Sequence, residues 1–285
     1  MRRSNREIEV SFIIVNYNGG EFLKKVIDSI KNQDFPKNKR EILLVDNNSI
    51  DGSPNIFLND KEVFLIKSEN NLGFAGGNNL GIGKSSGKYL ALVNNDVILN
   101  KDWTKIMVSK MNEDSRIGIA GNKIFLRDTK NIWHGGAKIF FPGFVKHMKL
   151  EVECSLKFVT FASVMIRKNA GIKFDENYFL YYEDTDYCRE AIKRGLKVIY
   201  LPNAESNHFI KSGRASPSEE YYLNRNRVYY YAKELNGLMK VLFLFGDIIL
   251  FFPIFTLYRI IRQPNRIKYF GKILRARIDS IKMLK

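Results

Sequence analysis

The sequence predicts an α/β fold: a mostly parallel sheet with flanking helices, followed by an apolar and basic helical tail. Three observations carry this. Apolar, β-rich runs alternate with helical patterns over the first hundred residues, as in parallel strands joined by crossover helices. Two of those runs end in Asp beside Asn, at Asp46-Asn47 and Asn95-Asp96. Past residue 235 the composition changes to long apolar stretches mixed with Lys and Arg. The expected organisation is therefore a domain over 1–235 and a tail over 236–285.

The elements follow in order. Residues 10–15 form an apolar strand ending in Asn16-Tyr17-Asn18-Gly19-Gly20. Phe22, Leu23, Val26, Ile27 and Ile30 then recur at helical spacing. Residues 41–45 and 63–66 are the second and third strands, and 89–93 the fourth. A buried parallel strand reads as a continuous apolar run, and ligands of open α/β sheets bind beyond the strands' carboxyl ends. Asp96 is thus expected in a crevice, where a carboxylate suits a divalent cation and the cation a phosphorylated ligand. Asn94-Asn95-Asp96 also reads as ordinary turn chemistry.

Between the third and fourth strands, Asn70-Asn71-Leu72-Gly73-Phe74-Ala75-Gly76-Gly77-Asn78-Asn79 reads as a glycine-rich loop. It is either a flexible connection before a helix or backbone made to approach a ligand. Gly83-Lys84-Ser85 mimics the end of a P-loop, but Asn78 stands where the first glycine is needed and a strand follows at once. An ATP-binding P-loop is excluded.

Residues 117–170 carry short β-like runs around Trp133-His134-Gly135-Gly136, an antiparallel half facing an acceptor. Packing is the expected role of Trp133 and His134. Within 175–194, Glu183-Asp184 opens a helix whose apolar face includes Tyr187 and Ile192, with Gly195 as its C-cap. The acids suit either a helix N-terminus or a general base, and the nearby Phe179, Tyr181 and Tyr182 would limit water around a carboxylate. His208, after an apolar strand at 198–201, is expected as a metal ligand or phosphate contact. Lys211 and Arg214 stand ready for a diphosphate. Residues 219–234 form a polar, Tyr- and Arg-rich helix.

The chain of 285 residues, 45% hydrophobic, carries a net charge of +16. Such a balance favours nucleic acid, an anionic membrane or a phosphorylated substrate. Residues 259–285 hold nine Lys/Arg and one acid, a net of +8, so half of the excess sits in the tail. Cys154 and Cys188 make neither a metal-ligand spacing nor an inferable disulfide, and residues 1–9 show no secretory h-region.

Five motifs now stand in order: Phe-Ile-Ile-Val-Asn-Tyr-Asn-Gly-Gly, Leu-Val-Asp-Asn-Asn-Ser-Ile-Asp-Gly-Ser, Asn-Leu-Gly-Phe-Ala-Gly-Gly-Asn-Asn, Val-Asn-Asn-Asp-Val and Phe-Leu-Tyr-Tyr-Glu-Asp-Thr-Asp-Tyr-Cys-Arg. Together, over roughly 9–230, they resemble glycosyltransferase family 2, most of all its rhamnosyltransferase-type members. The resemblance implies a GT-A (Rossmann-like) fold and inverting transfer from a nucleotide-diphosphate sugar to a glycan or lipid-linked acceptor in cell-surface polysaccharide synthesis. It assigns Val15, Tyr17 and Asp46 to the nucleotide and Gly73 and Asn78 to the donor sugar. Asn94-Asn95-Asp96 becomes a DXD-like motif with Asp96 on Mg²⁺ or Mn²⁺, His208 a further metal contact, and Asp184 beside Glu183 the catalytic base. Asn94 and Asn95 depart from the usual first carboxylates; an amide oxygen ligates without charge, which leaves more of the coordination to His208 and the donor phosphates.

In the tail, residues 241–261 are long enough to span a bilayer but are interrupted by Asp247, Pro253 and Arg259. A single span would also carry the +8 end across the membrane, against the positive-inside rule. Ile267, Phe270, Leu274, Ile278 and Ile281 then line one helical face, with Arg266, Lys268, Lys272, Arg275, Arg277 and Lys282 elsewhere. The expectation is peripheral or monotopic attachment to the cytoplasmic face of the membrane; a true span or a helix pair forming a homodimer are the alternatives. Cations mixed with long apolar runs argue against nucleic acid. A nucleotidyltransferase on a similar sheet would need a basic phosphate loop after the first strand, and Asn16 to Gly20 has no basic residue.

Overall fold

The computed structural model describes residues 7–141, 144–210, 216–262 and 270–284. The chain divides into two compact units. The first comprises Met1–Ile139, Val145–Phe179 and Glu183–Lys211; the second comprises Phe140–Phe144, Leu180–Tyr182 and Ser212–Lys285. The boundary expected at 235/236 falls inside the second unit.

The strands are β1 (Val10–Asn16), β2 (Arg40–Asp46), β3 (Val63–Lys67), β4 (Tyr89–Val93), β5 (Val97–Leu99), β6 (Ile117–Leu126), β7 (Ile132–His134), β8 (Ala137–Phe140), β9 (Phe144–His147), β10 (Cys154–Leu156), β11 (Ser163–Arg167) and β12 (Lys197–His208). The main sheet runs β10-β12-β6-β11-β4-β1-β2-β3, with β5 added to β12 and β7 to β6; β8 and β9 pair separately. Strands β3, β2, β1 and β4 are parallel, as are β6 and β12, and β11 lies antiparallel between these groups. All four strands expected in the first hundred residues are present.

Helices α1 (Phe22–Lys31), α2 (Gly73–Lys84), α3 (Trp103–Glu113) and α4 (Glu183–Lys193) cover the sheet. Alternation along β1 splits the core between its two faces. Phe12 and Ile14 join Leu23, Val26, Ile27 and Ile30 of α1 and Trp103, Met107 and Met111 of α3. Ile13 joins Ala75 of α2 and Tyr187, Cys188 and Ala191 of α4. Each such buried aliphatic side chain contributes roughly 1.5–3 kcal/mol. In α4, Tyr187 is buried as expected but Ile192 is 41% exposed; Gly195 ends the helix at φ +78°.

The glycine-rich stretch is a helix, not a loop. Gly, Asn and the lack of an apolar stripe depress helix propensity, but close packing decides here. A Cβ at Gly77 would lie 2.6 Å from Val15 Cγ1, and one at Gly81 2.5 Å from Ile13 Cγ2. The glycines let α2 lie flat on β1.

In the second unit, α5 (Pro217–Ala232) starts at a capping box from Ser216 to Glu219. It packs on α8 (Phe270–Lys282). Between them α6 (Gly237–Gly246) and α7 (Phe252–Arg262) are joined through a π-turn at Asp247–Phe251. The acid interrupting the apolar run has an internal role: Asp247 pairs with Arg227 and, at 3.3 Å, with Arg277. Arg277, expected among solvent-facing cations, is therefore 2% exposed. The face expected to be apolar is outward, with Phe270, Leu274 and Ile278 exposed. Ile267, Arg266 and Lys268 lie outside the described residues.

These contacts set an expectation for stability. Gly81→Ala should destabilise the chain by about 1–3 kcal/mol through overpacking against Ile13. Gly83→Ala, with nothing within 4 Å of the new Cβ, should be neutral or stabilising by up to about 1 kcal/mol. Urea unfolding of the two variants checks the contrast.

Candidate active site

The parallel strands β1, β2 and β4 end on one edge of the sheet, and an amide network ties those ends together. Asn16, wholly buried at the end of β1, donates from Nδ2 to Ser49 Oγ (3.0 Å) and Ser53 Oγ (3.1 Å). Its Oδ1 accepts from Asn95 Nδ2 at 3.0 Å. Asp46, at the end of β2, accepts from the Ser49 N–H at 2.9 Å. Val15 lies under Gly77, and Tyr17 is half exposed just past the strand.

Asn47 is buried and donates to the Gly73 carbonyl at 2.8 Å. Its Oδ1 has no partner among the described residues. Gly73 opens α2 at φ +70°, and a Cβ there would lie 2.3 Å from the Phe179 carbonyl oxygen. Only glycine fits that approach. Asn78 is 1% exposed and donates from its amide to the Phe74 carbonyl at 2.9 Å.

Beyond β4, Asn94 makes a backbone turn, its carbonyl accepting from the Val97 N–H at 3.1 Å. Asp96 Oδ1 then lies 3.0 Å from His208 Nε2. His208 closes β12, whose pairing with β5 sets it against Val97. Its ring stands edge-on to Trp133, centroids 4.6 Å apart, and its Nδ1 is buried without a partner among the described residues. Trp133 thus packs as expected, against a histidine of the candidate site. His134 is wholly buried and its Nδ1 shares a hydrogen bond with His147 Nδ1 at 2.8 Å; burial, then His147, hold it well below the usual imidazole range.

Two donors 3.0 Å apart suit one divalent cation. Adjacent ligands of an octahedral ion at about 2.1 Å are separated by about 3 Å. No cluster of three or more His, Cys, Asp and Glu is placed to hold a metal among the described residues, so the remaining positions would fall to phosphate oxygens and water. Lys211 and Arg214 lie outside the described residues.

Glu183 and Asp184 start α4. Glu183 is 6% exposed, with Oε2 unpartnered among the described residues. Burial and then the Asp184 charge push it well above the usual carboxylate range. Burial also pushes Asp184 up, to about 6, against hydrogen bonds from the Thr185 N–H, the Thr185 hydroxyl and the Phe161 N–H. Asp184 is then the member of the pair that is charged near neutral pH and can take a proton. Tyr181 and Tyr182 are engaged within the second unit, on Glu219 and Tyr230.

The segment before β11 links the two acids. Phe161 packs its ring on Tyr187 of α4, centroids 5.4 Å apart, and the next residue, Ala162, accepts from the Asn94 N–H at 2.9 Å. Asp46, Asn95, Asp96, His208 and Asp184 are thereby gathered on one sheet edge. Asn16 and Asn47 stood in the sequence motifs but were assigned no role of their own. Their signal was position, since each sits at the end of an apolar strand.

A curled α/β sheet with acids and amides at its carboxyl edge defines a GT-A-like sugar-nucleotide fold. Residues 11–174 match the model of glycosyl transferase family 2, and the chain belongs to that family. Glycosyltransferase AglE of Haloferax volcanii is 34% identical over 121 residues, covering 41% of this chain and 40% of that protein. The poly(ribitol-phosphate) beta-N-acetylglucosaminyltransferase TarS of Staphylococcus aureus is 28% identical over 102 residues, 34% of this chain and 18% of its own. The chain thus spans less than half the length of these relatives. Among solved structures, S. aureus TarS 1-349 with UDP covers 97% of this chain and 83% of its own, at 18% identity and TM-score 0.60. A GalNAc-transferase structure containing UDP, GalNAc and Mn²⁺ covers 80% and 51%, at 17% identity and TM-score 0.65. Both likenesses are of fold.

The network predicts unequal effects at adjacent positions. Asn16→Ala should lower stability by about 1–3 kcal/mol, because buried partners lose their hydrogen bonds. Tyr17→Ala, at a half-exposed position, should stay within about 0.5 kcal/mol. Thermal melts compare the two.

Proposed function

We propose that this chain is an inverting glycosyltransferase. It moves a sugar from a nucleotide-diphosphate donor to a hydroxyl of a glycan or lipid-linked acceptor, in cell-surface polysaccharide synthesis on the cytoplasmic face of the membrane. One observation carries the reading: Asp96 lies 3.0 Å from His208 beyond β4, and the start of α4 meets the same edge through Phe161, packed on Tyr187, and Ala162, which accepts from the Asn94 N–H. The family and the UDP-bound structural neighbours support a sugar-nucleotide donor. Rhamnose is the sugar that the motif resemblance favours.

In this reading the nucleotide lies over Val15, Tyr17 and Asp46. The unpaired Asn47 Oδ1 takes an N–H of the ligand, which removes the cost of a buried unpaired acceptor. Gly73 brings the start of α2 against the donor, and Asn94 and Asn95 shape the turn that presents Asp96. Asp96 and His208 would hold Mg²⁺ or Mn²⁺, which supplies positive charge to the departing diphosphate.

Asp184 carries the proton chemistry. It takes the proton of the acceptor hydroxyl as that oxygen bonds to the anomeric carbon. The bond from that carbon to the diphosphate oxygen breaks, and the electron pair leaves with the diphosphate. A single displacement inverts the centre and needs no enzyme nucleophile. Glu183, kept neutral by burial, adds no competing charge beside the base. For the second unit the reading is monotopic attachment: Gly237–Tyr258 is long and apolar enough to cross a membrane, but its central Asp247 is paired to arginines of α5 and α8.

The test is turnover of a donor panel, a rhamnose donor, UDP-GlcNAc and UDP-GalNAc among them, with and without Mn²⁺. With the active donor, kcat/KM should fall tenfold per unit below about pH 6, as Asp184 becomes protonated, and be flat above it. Asp184→Asn should lose about 10²–10⁴-fold in transfer while calorimetry shows unchanged donor affinity. Wild-type turnover by that variant removes Asp184 from the mechanism.

A further inference from the structure

The chain has three histidines, and all three rings lie around one indole. Trp133 is 4.6 Å from His208, 5.3 Å from His147 and 6.2 Å from His134, centroid to centroid. The imidazoles of His147 and His208 are therefore at most about 10 Å apart. His208 belongs to the candidate active site; His134 and His147 have no part in the chemistry described above. Two glycines make their pairing possible. The Gly135 N–H donates to the Met148 carbonyl at 2.9 Å, and the Met148 N–H to the Gly136 carbonyl at 2.8 Å. A Cβ at Gly135 would lie 2.9 Å from Leu150 N, so only glycine lets the two backbones come this close. That approach brings His147, at the end of β9, onto His134, at the end of β7, with Nδ1 to Nδ1 at 2.8 Å.

Two imidazoles facing each other through Nδ1 share one proton, and the surroundings assign it. His134 is wholly buried and held neutral by that burial, so it carries a single N–H. The Thr160 N–H donates to its Nε2 at 3.5 Å. The His134 proton is then on Nδ1 and is donated to His147 Nδ1. His147 accepts there, so its own proton sits on Nε2. The arrangement leaves no lone pair at His134 Nδ1 for a metal ion. It also holds His147 uncharged, because a second proton on its Nδ1 would face the one on His134. Crowding of the His147 ring acts in the same direction, while the residue keeps an exposed side. Its Nε2 has no partner among the described residues. A surface histidine ordinarily turns and titrates freely; this one has its orientation and tautomer fixed by a buried neighbour. Such preorganisation lowers the cost of holding a ligand.

We propose that His147 is a specificity-determining residue of the acceptor site, whose Nε2–H donates to a hydroxyl of an uncharged acceptor sugar, with His134 as its positioning residue. This rests on the transferase reading and gives it an acceptor contact. The ligand class follows from the polarity of the donor. A neutral N–H recognises a neutral oxygen, whereas a phosphate calls for a cation, which the His134 proton opposes. The indole between His147 and His208 keeps this contact close enough to the Asp96–His208 pair for one acceptor molecule to reach both. The anchor of the relay, Thr160, directly precedes Phe161 and Ala162, the segment that meets α4 and the turn after β4.

The experiment uses the full chain, nitrogen-15-labelled at histidine, in amine-oxide detergent micelles, which carry neither sugar nor phosphate. Two-bond proton–nitrogen spectra read each tautomer. The expected result is Nδ1–H at His134, Nε2–H at His147, and a His147 that titrates below free imidazole. Methyl glycosides of glucose, galactose, mannose, rhamnose and N-acetylglucosamine are then added, with methyl phosphate as the charged probe. At least one glycoside should shift His147 Nε2 without protonating the ring. His147→Phe, which keeps a ring against the indole, should weaken that glycoside about tenfold and leave UDP affinity unchanged. His147→Gln, whose amide both accepts and donates, should stay within about threefold of wild type. A proton on His134 Nε2, no response of His147 to any glycoside, or methyl phosphate turning His147 into an imidazolium each overturns the proposal. So does a His147→Phe variant that loses UDP and glycoside equally. The transferase reading is scored separately, by transfer from the donor panel to the same glycosides. Transfer that His147→Phe leaves unchanged loses the proposal and keeps that reading; binding at His147 with no transfer from any donor does the reverse.

Discussion

The candidate site depends on the two residues before β11. The Phe161 ring packs on Tyr187, one turn into α4, and the Ala162 carbonyl accepts from the Asn94 N–H. The strand between the parallel halves of the sheet thus fixes the start of α4 against the turn after β4. Because β11 runs antiparallel to β4, with Ser163 opposite Val93, its beginning meets the end of β4 at the ligand-facing edge. Moving the register by one residue would turn every side chain of β11 to the other face.

Electrostatics follow from that placement. Asp184 is partly withdrawn from water yet receives hydrogen bonds to its charged form, and these opposing effects leave it poised near neutral pH. Glu183, more deeply buried and next to that charge, is pushed further. Both acids are thereby pushed above the usual carboxylate range, Asp184 to about 6. At the other end of the edge, Asp96 lies against an imidazole whose second nitrogen is buried and has no partner among the described residues. Trp133 limits how that ring can turn.

Much of this architecture was legible in the sequence. The four parallel strands were readable because fully buried strands are continuous apolar runs, and the Asp and Asn residues at their ends marked the carboxyl edge of the sheet. The glycine-rich segment was harder. Its helix is dictated by contact with Ile13 and Val15, a tertiary reason that local propensity does not carry. Asn16 and Asn47 stood in the strand-end motifs without a role of their own, because a buried amide network is a property of three strand ends together. Arg277 shows the same limit in the tail. Its place on an amphipathic helix suggested solvent, but its partner Asp247 lies thirty residues away in an apolar run whose own acid looked like a defect. Each residue explains the other only once both are placed.

The second unit uses that ion cluster to keep a long apolar segment folded against α5 and α8 while its outer face stays exposed. The most direct measurement is a crystal structure of the chain with UDP and Mn²⁺, the ion located by anomalous scattering. The account predicts a Mn²⁺ peak bonded to both Asp96 Oδ1 and His208 Nε2, with the β-phosphate turned toward Asp184. A peak remote from Asp96, or Asp96 and Asp184 opening into separate cavities, would contradict it.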